Sequence, residues 1–365
     1  MRLYTQATAK ADRFVSQTAM SFRSNFLRRC AGIGLLALAT MSSVAAAPPV
    51  PRKPKLGKVL GADISFLPQL EARGVKFSDK GVQKDAIQIL KDHHFNYIRL
   101  RIFNNPAADS GYSPGKGFCD LPHTLAMAKR VKQAGLKLLL DFHYSDTWAD
   151  PQKQFKPEAW KNLTGAALET AVHDYTTAVL QAMKAQGTPP DMVQVGNEIN
   201  HGMIWPDGDV DKADSLARFD VLAGLAKAGT RAVRETTPNA LVMMHVALGG
   251  QHLKSTLWLD HMLARQVEFD VIGESYYPKW HGTIADLKNN LTSLAKKYPQ
   301  DIVLVEYSER KREANDIAFN LPGDKGKGSF FWEPLNTWES IFDKAGKANY
   351  LLLIYDEISR KYRVE

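Results

Sequence analysis

Apolar residues recur along this chain in two alternating rhythms. Short runs rich in Val, Ile, Leu, Phe and Tyr fall at Leu60–Ser65, Tyr97–Phe103, Leu136–Tyr144, Met192–Ile199, Leu241–Leu248, Val271–Tyr277, Ile302–Tyr307 and Ser329–Glu333. Between them lie longer stretches with apolar residues three or four apart, among them Leu121–Gln133, Leu168–Ala185, Leu216–Glu235 and Leu287–Tyr298. The first kind predicts buried strands and the second amphipathic helices. Eight strand–helix units in succession predict an α/β protein built as a single (β/α)8 TIM barrel, a fold that commonly takes ~250 residues plus insertions. An open, doubly wound sheet is the alternative, but no G-x-G-x-x-G loop follows the first run.

The start of the chain has a different pattern. Arg23, Arg28 and Arg29 precede the apolar run Ala31–Thr40, and small residues follow through Ala47. A basic head, a short apolar run and an A-x-A-like end predict a secretory signal peptide over 1–47. The run is too short for a membrane anchor. Residues 48–58, PPVPRKPKLGK, predict a stiff, solvated leader. That leaves 59–365 as one catalytic domain, with no separate carbohydrate-binding module expected, and places the mature protein outside the cell or in the periplasm.

Charge adds little once the signal is removed. The chain holds 47 Lys or Arg and 39 Asp or Glu; taking away the six basic residues and one acid of 1–47 leaves 41 against 38. A nearly neutral domain gives no reason to expect a nucleic-acid partner. Of the two cysteines, Cys30 lies in the signal, so Cys119 is left without an intrachain partner and reads as a structural thiol. His93 and His94 close a helical stretch and are expected in solvent or capping it. Arg310–Arg312 and Lys325–Lys327 are expected on solvated faces, with a contact to an acidic glycan as the sharper reading.

The chemistry is expected at the C-terminal ends of the runs, because that is the mouth of a (β/α)8 barrel. Polar residues cluster there: Gly-Ala-Asp-Ile-Ser, Arg-Leu-Arg, Asp-Phe-His-Tyr-Ser-Asp-Thr-Trp, Gly-Asn-Glu-Ile-Asn-His, Glu-Ser-Tyr-Tyr-Pro and Val-Glu-Tyr. Glu198 ends the fourth run and Glu306 the seventh, positions that face each other across the mouth. Two carboxyls flanking one bond are what glycoside hydrolysis needs. Arg99 and Arg101 share one face of their strand; one of them could hold a carboxylate ionised, and a surface pair is the plainer reading. His143 could touch a sugar hydroxyl or orient a carboxylate, or sit satisfied in the core. Trp148, Trp205, Trp280 and Trp332 follow or end runs, where indole faces could stack on sugar rings. A metal-dependent hydrolase is disfavoured, since the first run has no H-x-H, and no metal or cofactor is expected.

Six stretches together resemble glycoside hydrolase family 53, the endo-β-1,4-galactanases: GADIS (Gly61–Ser65), RLRIFNNPA (Arg99–Ala107), DFHYSDTWADP (Asp141–Pro151), GNEINHGMIWPDG (Gly196–Gly208), SYYPKWHG (Ser275–Gly282) and FFWEP (Phe330–Pro334). The resemblance implies a retaining hydrolase of β-1,4-galactan, the side chains of pectin or type I arabinogalactan, acting as a monomer on plant cell-wall polysaccharide. It implies Glu198 as acid/base, Glu306 as nucleophile and Asn197 as a partner of the sugar 2-hydroxyl. It places Tyr277, Trp332, Trp205, Trp148, His143, Asp146, Arg99 and Arg101 along the substrate. Departures from the family pattern are the Tyr-Ser-Glu-Arg-Lys-Arg-Glu tail after Glu306, the acidic Glu274 before Ser-Tyr-Tyr-Pro, and a short loop after the seventh strand, where the calcium-binding loop of bacterial relatives is not expected. They leave open the same chemistry on another β-linked glycan, or a glycan-binding barrel that has lost turnover.

Overall fold

A computed structural model describes residues 55–211, 215–337 and 339–364. The expected signal peptide over 1–47 and all but the last residues of the expected leader lie outside the described residues. Eight parallel strands, β1 (Val59–Asp63), β2 (Tyr97–Ile102), β3 (Lys137–Phe142), β4 (Met192–Val195), β5 (Leu241–Val246), β6 (Val271–Tyr276), β7 (Asp301–Tyr307) and β8 (Gly326–Trp332), pair in chain order and close into a barrel through β1 and β8. The closing register runs from Val59 opposite Gly328 to Asp63 opposite Trp332. The helices α1 (Ala86–Asp92), α2 (Leu121–Gln133), α3 (Gly165–Ala185), α4 (Ser215–Thr236), α5 (His252–Ala264), α6 (Ile284–Lys297), α7 (Lys311–Phe319) and α8 (Leu353–Tyr362) alternate with them. The fold is therefore the single (β/α)8 barrel that the rhythm of the chain predicts.

Helix starts follow local chemistry. Asp85 accepts the Ile87 N–H, Asp120 accepts the His123 N–H, and Thr283 forms a reciprocal capping box with Asp286. Each such cap stabilises its helix by about 1 kcal/mol. Strand β8 begins three residues before the apolar run Ser329–Glu333, because Gly326, Lys327 and Gly328 carry no apolar signal of their own.

Side-chain alternation along each strand divides the apolar residues into two cores. Ile98, Leu100, Leu138, Leu140, Val193, Val242, Ile272 and Leu304 face outward and pack under the helices. Val59, Tyr97, Leu139, Met192, Met243, Val271, Val303 and Phe330 fill the barrel interior. Gly61 is required there, since a Cβ would sit 2.2 Å from the Phe330 ring. Further along the strands, the same inward positions turn polar: Tyr97 is followed inward by Arg99 and Arg101, Leu139 by Asp141 and His143, Met192 by Gln194, Met243 by His245, and Val271 by Ser275. The apolar residues make a floor, and the polar ones line the mouth.

One irregularity resets this alternation. Gly273 pairs with Val303, but Ser275 pairs with Glu306, so β7 carries one extra residue. Val303 and Val305 already face inward. Strict alternation would send Glu306 outward, and the bulge turns it back to the mouth.

Three basic positions differ from their sequence reading. His93 is buried between Asp356 (Nδ1, 2.9 Å) and Asp79 (Nε2, 3.3 Å). Lys311 is enclosed against Glu339, and Lys327 lies 3.0 Å from Asp324 and 3.7 Å from Asp301. Except for Asp324, these acids lie far along the chain, so local pattern does not reveal the pairings. Among the described residues, no helix is long and apolar enough to cross a membrane.

Candidate active site

Strand β4 ends at Val195, and Gly196 follows with φ +86°, where a Cβ would meet Ile199 Cγ2 at 2.7 Å. Glu198 then adopts a left-handed backbone (φ 50°, ψ 48°), a conformation that costs a non-glycine residue about 1–3 kcal/mol. The surroundings hold it there. Gln154 Nε2 donates to the Asn197 carbonyl at 2.8 Å, Trp258 Nε1 donates to the Ile199 carbonyl at 3.1 Å, and Asn200 Oδ1 accepts the Ala247 N–H at 3.0 Å.

Glu306 is held by two donors, one on β2 and one just beyond β6. Arg99 Nη1 donates to Oε2 at 2.9 Å, and the Tyr277 hydroxyl donates to Oε1 at 2.8 Å. Arg99 spends its other three Nη hydrogens on Asp63 (3.3 Å), Asp141 (3.0 Å) and Asn197 Oδ1 (2.8 Å). Its guanidinium is 1% exposed, so the carboxylates around it are what make its burial tolerable.

Carboxylate oxygens of Glu198 and Glu306 lie within 4.8 Å of one another. Their surroundings pull their proton affinities apart. Burial and the nearby Glu306 charge push the Glu198 carboxyl well above the usual carboxylate range, and only the Ser275 hydroxyl and the more distant Arg99 pull it down. Burial raises Glu306 as well, but Arg99 and the Tyr277 hydroxyl oppose it directly. Of the pair, Glu198 keeps the proton and Glu306 carries the charge. His245 offers a ring nitrogen within the same 4.8 Å, so the three residues could also enclose a small cation; against that, the Arg99 guanidinium already neutralises Glu306.

Two cavities of about 390 and 270 Å³ meet at Glu198, Glu306, Asp150 and Trp332. Gln152, His201, Gln251, Lys254, Tyr277 and Trp280 line the larger. Asp63, Arg99, Asp141, His143, Trp148 and Asn197 line the smaller. The mouth is thus a groove with room on both sides of the carboxyl pair. Trp280 is 57% exposed at its rim.

The other expected site residues divide in two. His143 accepts the Ala149 N–H on Nδ1 and faces Asp141 through Nε2 at 3.1 Å, which defines its tautomer. Arg101 reaches the smaller cavity, but Glu333, Asp63 and Tyr112 occupy its guanidinium, whose faces lie 4.5 Å from the Phe66 and Trp148 rings. Its stacking against the ring braces Trp148. Asp146 is turned away from the groove, with its oxygens accepting the N–H groups of Asn105 and Glu158 at 2.9 and 2.8 Å. Trp205 donates its indole N–H to the His201 carbonyl at 3.0 Å, and its backbone pairs with Phe155. Among the described residues, neither Asp146 nor Trp205 lines either cavity.

Sequence reasoning passed over Asp63, Asp141, Gln194, His245 and Ser275, all buried in the mouth. The available signal was the inward register of each strand: every one of these polar residues stands two positions beyond an apolar residue or a glycine of the barrel interior.

Cleaving an acetal between two sugars takes one carboxyl that holds its proton and one that has lost it, facing the same bond. On that ground the barrel falls in the class of glycoside hydrolases. Its relatives narrow the class: residues 59–321 match Glycosyl hydrolase family 53, and the chain belongs to that family. It is 37% identical over 251 residues to an endo-beta-1,4-galactanase of Bacillus subtilis, covering 68% of this chain and 56% of that protein. An arabinogalactan endo-beta-1,4-galactanase of Cellvibrio japonicus is 34% identical over 271 residues, 73% of this chain and 70% of its own. The GH53 catalytic domain of Ignisphaera aggregans superimposes with a TM-score of 0.75 at 34% identity, covering 84% of this chain and 98% of that one.

Proposed function

We propose that this barrel is a retaining, endo-acting hydrolase of β-1,4-galactan, with Glu198 as acid/base and Glu306 as nucleophile. The separation of the two carboxyls carries the proposal. An oxygen of each carboxyl lies within 4.8 Å of the other, which supports retention, where the carboxyls stand ~5 Å apart, over inversion, where they stand ~6.5–9.5 Å apart. In the first step Glu306 attacks the anomeric carbon while Glu198 passes its proton to the departing sugar oxygen. In the second, Glu198, now ionised, takes a proton from water, and that water displaces Glu306. Asn197 uses one Nδ2 hydrogen on the Ala149 carbonyl at 2.8 Å, which leaves the other for the sugar 2-hydroxyl.

Cavity space on both sides of the carboxyl pair supports cleavage within a polymer. The names of the Bacillus subtilis and Cellvibrio japonicus relatives support galactan, carried by pectin or type I arabinogalactan, as that polymer. The basic, apolar and small-residue pattern of 1–47 supports export to the periplasm or medium, where the enzyme acts as a monomer on plant cell-wall polysaccharide. The test is reducing-sugar release from β-1,4-galactan beside β-1,3-galactan, mannan and xylan, with Glu306→Gln as control. Selective release from β-1,4-galactan, with the β anomer formed first, is expected. Release from another polymer would reassign the substrate, and tight binding without release would make the barrel a glycan-binding protein.

A further inference from the structure

The charges that line the larger cavity are matched, with one exception. Glu306 meets Arg99 at 2.9 Å, Asp150 lies 3.2 Å from Lys153, and His201 pairs with Asp211. Glu198 keeps its proton, and burial pushes the His281 pKa down to about 4, which leaves that ring neutral. Lys254 is the exception. It is exposed in the cavity wall, and among the described residues it has no carboxylate partner. We propose that Lys254 is a specificity-determining residue that receives a sugar bearing a carboxylate, so that the enzyme favours galactan carrying uronic acid residues. The inference rests on the reading of the barrel as a galactan hydrolase.

Helix stability does not account for this lysine. Lys254 is the third residue of α5, whose first turn holds no acid, and the helix dipole disfavours a cation at that end. Its position suits a ligand instead. Gln251 Nε2, at the start of the same helix, donates to the Trp280 carbonyl at 3.3 Å, which ties α5 to the turn carrying the exposed indole. The Trp280 ring lies 5.7 Å from that of Tyr277, whose hydroxyl holds Glu306. Lys279 Nζ stands 5.1 Å from the same indole, so a second cation borders the platform.

One cavity thus offers an indole for the apolar face of a sugar ring and an unmatched ammonium for a negative charge. A uronic acid presents both features on a single residue, whereas a neutral galactose leaves the ammonium to water. Lysine acts as a point charge, which suits the single charge of a carboxylate. The basic stretches Arg310–Arg312 and Lys325–Lys327 do not serve this purpose, since none of their residues lines either cavity.

The test compares three polymers: β-1,4-galactan, the same galactan sparsely oxidised at C6 to galacturonic acid residues, and that oxidised galactan after methyl esterification. Esterification removes the charge and keeps the added carbon and oxygen atoms. kcat/KM is measured with wild type, Lys254→Gln, Lys254→Arg and Lys254→Glu, and the readout is the ratio of the acid to the ester polymer for each protein. Wild type should favour the acid about three- to five-fold at low salt, the upper range for a solvent-exposed ion pair, and the ratio should shrink as ionic strength rises. Lys254→Arg should keep most of the preference, Lys254→Gln should bring the ratio to about one, and Lys254→Glu should invert it. A wild-type ratio of one or below, or a preference that survives Lys254→Gln, would overturn the proposal. If wild type leaves all three polymers intact, the galactan hydrolase reading has failed. Calorimetry then decides the inference by itself, with galactotetraose carrying one C6 carboxylate against its methyl ester. Tighter binding of the acid, lost in Lys254→Glu, supports the site, and equal binding of acid and ester by wild type rejects it.

Discussion

Arg99 on β2 and Glu306 on β7 meet at 2.9 Å across the barrel mouth, both buried. Glu198, across the groove, meets the Ser275 hydroxyl at 2.6 Å instead of a guanidinium. This difference in partners separates two chemically identical side chains into one that ionises and one that stays protonated.

Activity should therefore have two pH limbs with opposite signs. Glu306 must be ionised, so kcat/KM rises with pH through its pKa; Glu198 must be protonated, so kcat/KM falls as pH rises through its higher pKa. Arg99→Lys replaces a fork with a single ammonium that cannot serve Glu306, Asp63, Asp141 and Asn197 together. With a weaker hydrogen-bonded pairing to the cation, the proton affinity of the Glu306 carboxyl rises, and the acid limb of kcat/KM should move to higher pH. An unmoved acid limb would remove Arg99 from this role.

Azide distinguishes the two glutamates. In Glu198→Ala the glycosyl-enzyme still forms from a dinitrophenyl glycoside, and azide should resolve it to the β-glycosyl azide with restored turnover. In Glu306→Ala azide should enter in place of the nucleophile and give the α anomer. Product anomers read by NMR check both assignments, and the same anomer from both variants would contradict them.

Tyr277→Phe deletes the 2.8 Å hydrogen bond to Glu306 Oε1. A hydrogen bond to a charged group contributes about 1.5–3 kcal/mol, so kcat should fall roughly 10- to 100-fold. The fall should come with a rise in the pKa of the acid limb, because this donor lowers the proton affinity of Glu306. Steady-state kinetics across pH measures both effects.

Glu274 affects stability rather than catalysis. It faces outward under α5 and α6, accepting from Ser255 at 2.8 Å and from the Leu248 N–H at 3.1 Å, and burial pushes its carboxyl up to about 8 from 4.5. Between those values the folded protein holds a proton that the unfolded chain has released, so this group lowers stability as pH rises from about 4.5 to 8. Denaturant unfolding of Glu274→Gln should show less loss over that window than wild type. Parallel curves would show that Glu274 does not titrate there.

Much of this was legible in the chain. The eight apolar runs fall on the eight strands, and Glu198 and Glu306 stood out because a carboxylate closing a buried run is conspicuous. Asp146 and Trp205 looked like the other residues near run ends, yet one ties down two backbone N–H groups and the other donates its indole N–H to the His201 carbonyl. Nothing local distinguishes a loop carboxylate that faces the groove from one that faces backbone. His245 was missed for the opposite reason, being a single polar residue inside a run that reads as core, and Ser275, though part of a polar run end, carried no sign of its own that it meets Glu198.

By itself the sequence determined the order of strands and helices, the barrel they close into, and the end of the barrel that would carry the polar residues. These follow from periodicity and burial, which act over a few neighbouring residues. Only the tertiary structure decided that Arg99 serves Glu306, that the β7 bulge turns Glu306 inward, and that Ser275 and His245 stand behind Glu198. Those outcomes rest on contacts between residues far apart in the chain, and the proton affinity of a buried carboxyl is set by whichever charge or hydroxyl the closed barrel brings against it.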